Sequence, residues 1–297
     1  MKKLLILFLV TISPLSAIAK LNIVTTTPDL AALAKEVGGD RVAVISLARG
    51  DQDPHYLEPK PSYAVKLNRA DLLIAVGLDL EIGWLPVLLT QSRNPKIQPG
   101  SPGYLEPTSG VRILEIPHGP IDRSQGDVHP LGNPHYWLDP RNGLVIASQI
   151  ASRLKEIDPE GDYAARFFDF EKRLKARIAV WEKETAPLRG KRIVTHHKSF
   201  SYFVDWVGLQ VAGLVEPKPG IPPPPSHLLK LINQVRQENI SLLVTENYYD
   251  PKPSREIGQK TGAKVLILPT SVGGEAGVGT YEALFDRLIR KLKEGLP

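Results

Sequence analysis

The chain has 297 residues, 42% of them hydrophobic and 23% charged, which suits two medium domains with ordinary cores and excludes a disordered chain. It contains no cysteine, which excludes disulfides, thiolate zinc sites and iron–sulfur clusters. The formal charge of +5 drops by two, to +3, without Lys2 and Lys3, and what remains is too dispersed to form a nucleic-acid stripe.

Lys2 and Lys3 precede an apolar run, Leu4 to Ile12, and Ala17-Ile18-Ala19 supplies a small-x-small cleavage pattern. Residues 1–19 therefore read as a signal peptide, with the mature chain starting at Lys20. The run is too short to span a membrane as a helix, and no cysteine follows it to carry a lipid. An exported, soluble, periplasmic protein is expected.

The β-branched segment Leu21 to Thr26 predicts a strand. Pro28 opens a helix that Gly38-Gly39 should end, and Val42 to Leu47 predicts the next strand. Beyond it lies the first of three compact histidine segments, Asp53-Pro54-His55-Tyr56-Leu57-Glu58-Pro59. A helix near Ser62 to Asn68 and a buried strand at Asp71 to Gly77 follow. From about Asn94 to Pro134 the chain is rich in Pro and Gly, with little periodicity, and reads as a long loop. It closes on the second segment, Asn133-Pro134-His135-Tyr136-Trp137-Leu138-Asp139-Pro140.

Asn142 to Leu154 is helical. Tyr163 to Glu184 carries Phe167, Phe170, Leu174, Ile178 and Trp181 at spacings of three and four, which predicts one stiff amphipathic rod. Alternation then resumes. Arg192 to Thr195 predicts a strand that runs into the third segment, Thr195-His196-His197-Lys198-Ser199-Phe200. Later strands are expected at Leu209 to Ala212, Leu242 to Glu246 and Lys264 to Leu268, and helices at Phe200 to Val207, Ser226 to Glu238, Ser254 to Thr261 and Thr280 to Glu294. The expected architecture is α/β: two similar parallel-sheet lobes, 20–158 and 188–297, joined by a long rigid helix within 159–187.

In open parallel sheets, ligands bind beyond the carboxyl ends of the strands. His55, His135, His197 and Glu246 all fall at such loop mouths, two from each lobe, which suits a ligand held between lobes. Imidazole is the commonest protein ligand for a borderline transition metal, and three that converge make most of a zinc site. A loop histidine is more often solvated or bonded to backbone, and His118, His129, His196 and His227 are expected to be of that kind. His129 is still close enough in sequence to His135 to lie at the rim, and spacing alone leaves His196 and His197 interchangeable. Tyr136, Trp137, Tyr202, Phe203 and Trp206 flank these segments and read as core.

These segments, in this order, resemble the periplasmic solute-binding proteins of zinc and manganese ABC importers. The likeness covers essentially the whole mature chain. It includes Pro61-Ser62, Asp71 to Ile74 with Gly77, Leu80 and Glu81, the run His197 to Phe203, and Glu216 to Pro225. The resemblance implies the two-lobe fold with a buried metal, and His197 rather than His196 as ligand. It implies a monomeric carrier that is no enzyme and delivers its cargo to an ABC permease and its ATPase, with a periplasmic metallochaperone as a candidate partner for loading. Two features depart from the family. The loop Pro117 to Pro134 has only two histidines, and Leu268 to Gly274 lacks the usual Asp ligand, so the fourth position falls to Glu246 or to water.

Three imidazoles and one oxygen favour Zn2+, whereas Mn2+, the alternative cargo, prefers harder oxygen donors. A different class also fits three histidines with an open position: an exported zinc-dependent hydrolase with Glu246 as general base. No HExxH helix accompanies it.

Overall fold

The computed structural model describes residues 20–119, 125–126 and 128–296, so the proposed signal segment 1–19 lies outside it. Strands β1 (Leu21–Thr25), β2 (Val42–Ser46), β3 (Leu72–Ile74) and β4 (Tyr104–Leu105) form a parallel sheet in the order β2-β1-β3-β4. Strands β5 (Arg192–Thr195), β6 (Gln210–Leu214), β7 (Leu242–Glu246) and β8 (Lys264–Leu268) repeat that pattern as β6-β5-β7-β8, again parallel. β3 and β7 are buried along their whole length. That is why β3, and β7 as far as Val244, show no polar alternation: strands covered on both faces have no solvent side to mark.

Nine α-helices among the described residues surround the sheets: α1 (Pro28–Gly38), α2 (Pro61–Asn68), α3 (Leu85–Ser92), α4 (Pro140–Ile157), α5 (Tyr163–Thr185), α6 (Ser201–Val207), α7 (Pro225–Gln237), α8 (Lys252–Thr261) and α9 (Tyr281–Gly295). Proline opens α1, α2, α4 and α7, where its fixed φ suits the first turn and its missing N–H costs nothing. Two elements lie where the sequence pattern shows none. α3 is a short helix between Gly77 and Asn94, and β4 is only two residues inside the Pro/Gly-rich stretch; neither is long enough to display a period.

The rod is α5, about 35 Å long at 1.5 Å per residue. It buries Tyr163, Phe170, Leu174, Ile178 and Trp181 and packs on α1, α4 and α9. Trp181 lies against Phe285 of α9 at 5.4 Å, and Trp206 meets the same ring edge-on at 5.8 Å. One continuous apolar cluster thus runs from the first sheet through the rod to the second. The flanking aromatics Tyr136, Trp137, Tyr202, Phe203 and Trp206 all belong to it.

Direct ties also cross between the lobes. Trp137 Nε1 donates to the Thr270 carbonyl at 2.9 Å, and the Val272 N–H donates to Asp29 Oδ1 at 3.0 Å. Tyr281 of α9 donates to the Trp137 carbonyl at 2.5 Å. Its ring lies so close to α4 that a Cβ on Gly143 would stand 2.4 Å from Tyr281 Cε1. Gly143→Ala is therefore expected to destabilise the protein by roughly 1–2 kcal/mol, the overpacking cost exceeding the better helix propensity of Ala. Denaturant melts of the two proteins check this; equal stability would mean that Tyr281 retreats freely despite its hydrogen bond.

Candidate metal centre

His55 follows β2 in a loop whose Pro54 carbonyl accepts from Trp84 Nε1 at 2.9 Å. The Asp53 carboxylate takes both the backbone N–H of His55 (3.0 Å) and its ring Nδ1 (2.7 Å). His135 repeats the device. Asn133 Oδ1 accepts the His135 N–H at 2.9 Å and faces its Nδ1 at 2.9 Å. In both segments an Asx residue, a Pro and a His follow one another, so the short side chain folds forward onto the backbone two residues on and grips the ring with the same oxygen. That repeat is visible in the sequence, although the orienting role of Asp53 and Asn133 is not read from it. His197 sits just past β5, and its Nδ1 is 3.0 Å from Glu216 Oε2.

With Nδ1 committed to an oxygen acceptor in each ring, the proton sits there and Nε2 keeps its lone pair. This is the usual arrangement of metal-binding histidines, whose outer partner fixes both tautomer and ring orientation. The three rings converge. Their centroids are 5.1 Å apart for His55 and His135, 5.8 Å for His55 and His197, and 5.8 Å for His135 and His197. One ligand nitrogen from each lies within 4.8 Å of the other two. His135 Nε2 is buried and has no hydrogen-bond partner. A buried polar atom left unpaired asks for a partner, and a cation supplies one for a lone pair.

Glu246, at the end of β7, is fully buried, and neither of its carboxylate oxygens has a hydrogen-bond partner. It lies outside the three-histidine group. Burial pushes its carboxyl up to about 7, against the pull of the nearby His197 charge. His135 is held well below the ordinary histidine range by burial, reinforced by the charges of His55, His197 and His129. Burial also acts to lower His197, but the Glu216 hydrogen bond and the charges of Glu246, Glu216 and Asp53 outweigh it and raise the ring. A dication would stand among three converging imidazole nitrogens, with the carboxylates of Asp53 and Glu216 behind His55 and His197, so the residues present fit a metal ion.

Of the other histidines, His196 turns away and stacks on Tyr249 at 4.8 Å and 14°. His227 Nε2 bonds the Leu214 carbonyl at 2.9 Å. His129 does more than line the rim: its Nε2 is 3.1 Å from His55 Nε2. The cavity bounded by His129, His135, His197, Asn133, Lys198 and Glu115 measures about 50 Å³. Pockets for organic ligands run to several hundred Å³; this one suits an ion.

Residues 23–295 match the family described as "ZnuA: Zinc-uptake complex component A periplasmic". The metal ABC transporter substrate-binding lipoprotein ScbA of Streptococcus cristatus is 28% identical over 294 residues, spanning 94% of this chain and 89% of the relative. The manganese ABC transporter substrate-binding lipoprotein PsaA of Streptococcus pneumoniae is 27% identical over 293 residues, spanning 93% and 89%. A crystal structure of ZnuA superposes with a TM-score of 0.77 at 24% identity, covering 93% of this chain and 99% of that one. The FpvC protein of Pseudomonas aeruginosa, solved with Mn2+, gives 0.76 at 23% identity, covering 93% and 99%. The fold is shared with both.

Proposed function

The chain belongs to the ZnuA family of periplasmic zinc-uptake components, and on that premise we propose that its cargo is Zn2+, held by His55, His135 and His197 with Glu246 as the oxygen ligand. The family is the extracytoplasmic substrate-binding part of a metal ABC transporter, so its partners are a permease and an ATPase, and its task is binding, not turnover. The hydrolase reading is set aside on that ground. Several relatives bear the name of manganese carriers. Zinc is nonetheless the better fit to this chain, because its three converging donors are nitrogen and manganese favours oxygen. The observation that carries the proposal is the common posture of the three rings, each with Nδ1 engaged by an oxygen and one ligand nitrogen within 4.8 Å of the others.

The proposed mature protein begins at Lys20, with its lobes on either side of α5. The relatives are named lipoproteins, whereas the present sequence has no cysteine to acylate. Among the described residues no helix is long and apolar enough to cross a membrane.

Equal concentrations of Zn2+ and Mn2+ offered to metal-stripped protein should leave one zinc per chain after dialysis, with little manganese. Retention of manganese in preference would overturn the zinc assignment while keeping the metal-carrier role. Copper and nickel are expected to compete in vitro, as the general affinity order requires, so the zinc-to-manganese ratio is the quantity to read.

A further inference from the structure

We propose that a cavity lined by Asp53, Glu216, Asp250, His196 and Tyr249 receives the guanidinium group of an arginine presented by a protein partner, and that its arrival loosens the grip of His55 and His197 on their cargo. The binding step stands on the cavity alone; the release step rests on the reading of the three histidines as a metal site. The cavity measures about 380 Å³, a size that takes an organic group rather than a bare ion. Asp53, between β2 and α2, reaches it from the first lobe; Glu216, after β6, and Asp250, after β7, reach it from the second. Three carboxylates thus face one space, and neither lysine nor arginine is among the described residues that line it. A cation is the occupant that complements them. His196 supplies an observation independent of these charges. Its side chain is 6% exposed, lines the same cavity, and leaves the buried Nδ1 without a hydrogen-bond partner. A buried ring nitrogen left unpaired asks for a partner, which a group rich in N–H donors can provide.

The walls select among cations. Tyr249, Tyr56 and three prolines give the cavity flat apolar sides next to its carboxylates. A guanidinium suits them better than the ammonium of lysine, because it is planar and weakly hydrated, stacks on aromatic faces, and meets a carboxylate with two parallel N–H donors. A protein is the source that the rim favours. Tyr56 in the lining, and Ile221 between two lining residues, are large apolar side chains left exposed, as on surfaces that another protein covers. Two of the three carboxylates also hold ligand rings. Asp53 Oδ1 takes the backbone N–H and Nδ1 of His55, and Glu216 Oε2 is 3.0 Å from His197 Nδ1. A guanidinium drawn to them competes for their charge and sets a positive charge behind both imidazoles. Loss of an orienting partner costs a metal site about 10–100-fold in affinity. Zinc is then held tightly by the free carrier and let go where the carrier docks.

The test uses acetyl-arginine amide as probe and acetyl-lysine amide as its comparison, on wild type, Asp250→Asn and Glu256→Gln. Asp250 is exposed and accepts the Lys252 N–H at 3.0 Å, an acceptor that Asn keeps. Glu256 is an exposed residue of α8 outside the cavity and controls for net charge. Binding is read by NMR titration of the metal-free protein, and release by the rate at which zinc-loaded protein passes its metal to a chelator. The arginine probe is expected to bind wild type saturably and more tightly than the lysine probe. It should bind Asp250→Asn about tenfold more weakly, the share of one charged hydrogen bond, and speed zinc transfer from wild type about tenfold. Glu256→Gln should match wild type in both. No saturable binding, equal binding by Asp250→Asn, or lysine as tight as arginine overturns the site. Saturable binding with an unchanged transfer rate overturns the release step. If wild type takes up no zinc, the carrier reading falls and the release step with it, while the titration of metal-free protein still decides the cavity.

Discussion

His135→Ala should lower zinc affinity by roughly two to three orders of magnitude. Zinc bound by four protein ligands is worth about 10–16 kcal/mol, so one ligand carries on the order of 3–4 kcal/mol. His135 is the most informative of the three rings to remove. It is 1% exposed, its Nε2 has no other partner, and Asn133 holds it from behind. The Asn133 loop that carries it is itself pinned, by Tyr202 and the Lys198 carbonyl at 2.8 and 2.9 Å. Competition with a zinc chelator gives the affinity, and circular dichroism shows that the variant is folded. Glu246→Gln belongs in the same series. Its side chain keeps its size but loses its charge, so a matching loss of affinity makes Glu246 the oxygen ligand. No change would leave that position to water or to another side chain. Full zinc affinity in His135→Ala would remove the three-histidine site altogether.

Asp29 should contribute a loss of stability as pH rises from about 4 to 7, and Asp29→Asn should remove that contribution. Asp29 stands in the first turn of α1, wholly buried, with Oδ1 accepting the Val272 N–H and Oδ2 unpaired. Burial pushes its carboxyl up to about 7, against smaller opposing hydrogen bonds from Ser271 and Val272. The folded chain therefore holds this proton to near neutrality, while the unfolded chain releases it near pH 4. Between those values the folded state binds more protons, so raising the pH favours unfolding, by at most about 4 kcal/mol from this group. Below pH 4 and above pH 7 its contribution is flat. Glu81 is raised to about 7 by burial and pulls in the same direction. The quantity to measure is hence the difference between wild type and Asp29→Asn in denaturant melts at pH 5 and pH 8. The Asn keeps the acceptor for Val272 and carries no charge, so the variant should gain stability relative to wild type at pH 8. An identical pH slope in both proteins would show that Asp29 is ionised at little cost in the folded state.

Much of this molecule is legible from its sequence because the signals are local. β-branched runs mark β1, β2, β5 and β7, and the three-four spacing of Phe170, Leu174, Ile178 and Trp181 marks α5, since each reflects which side of one element is covered. The same local character gives away the Asp-Pro-His and Asn-Pro-His turns. α3 and β4 escape because eight residues and two residues are too few to show a period.

Sequence by itself determined the α/β class, the rod, the absence of thiolate ligands and the three histidine segments as the places to look. Tertiary structure alone decided which ring faces which. His196 and His197 are neighbours with the same side chain. Only the placement of Glu216 and Tyr249, 19 and 53 residues further on, turns one toward the cluster and the other onto an aromatic face. His129 and His55 are 74 residues apart, and nothing in either segment announces a 3.1 Å meeting. Periodicity records how an element meets its surroundings, whereas the approach of two loop side chains depends on where both sheets and the rod between them set their ends.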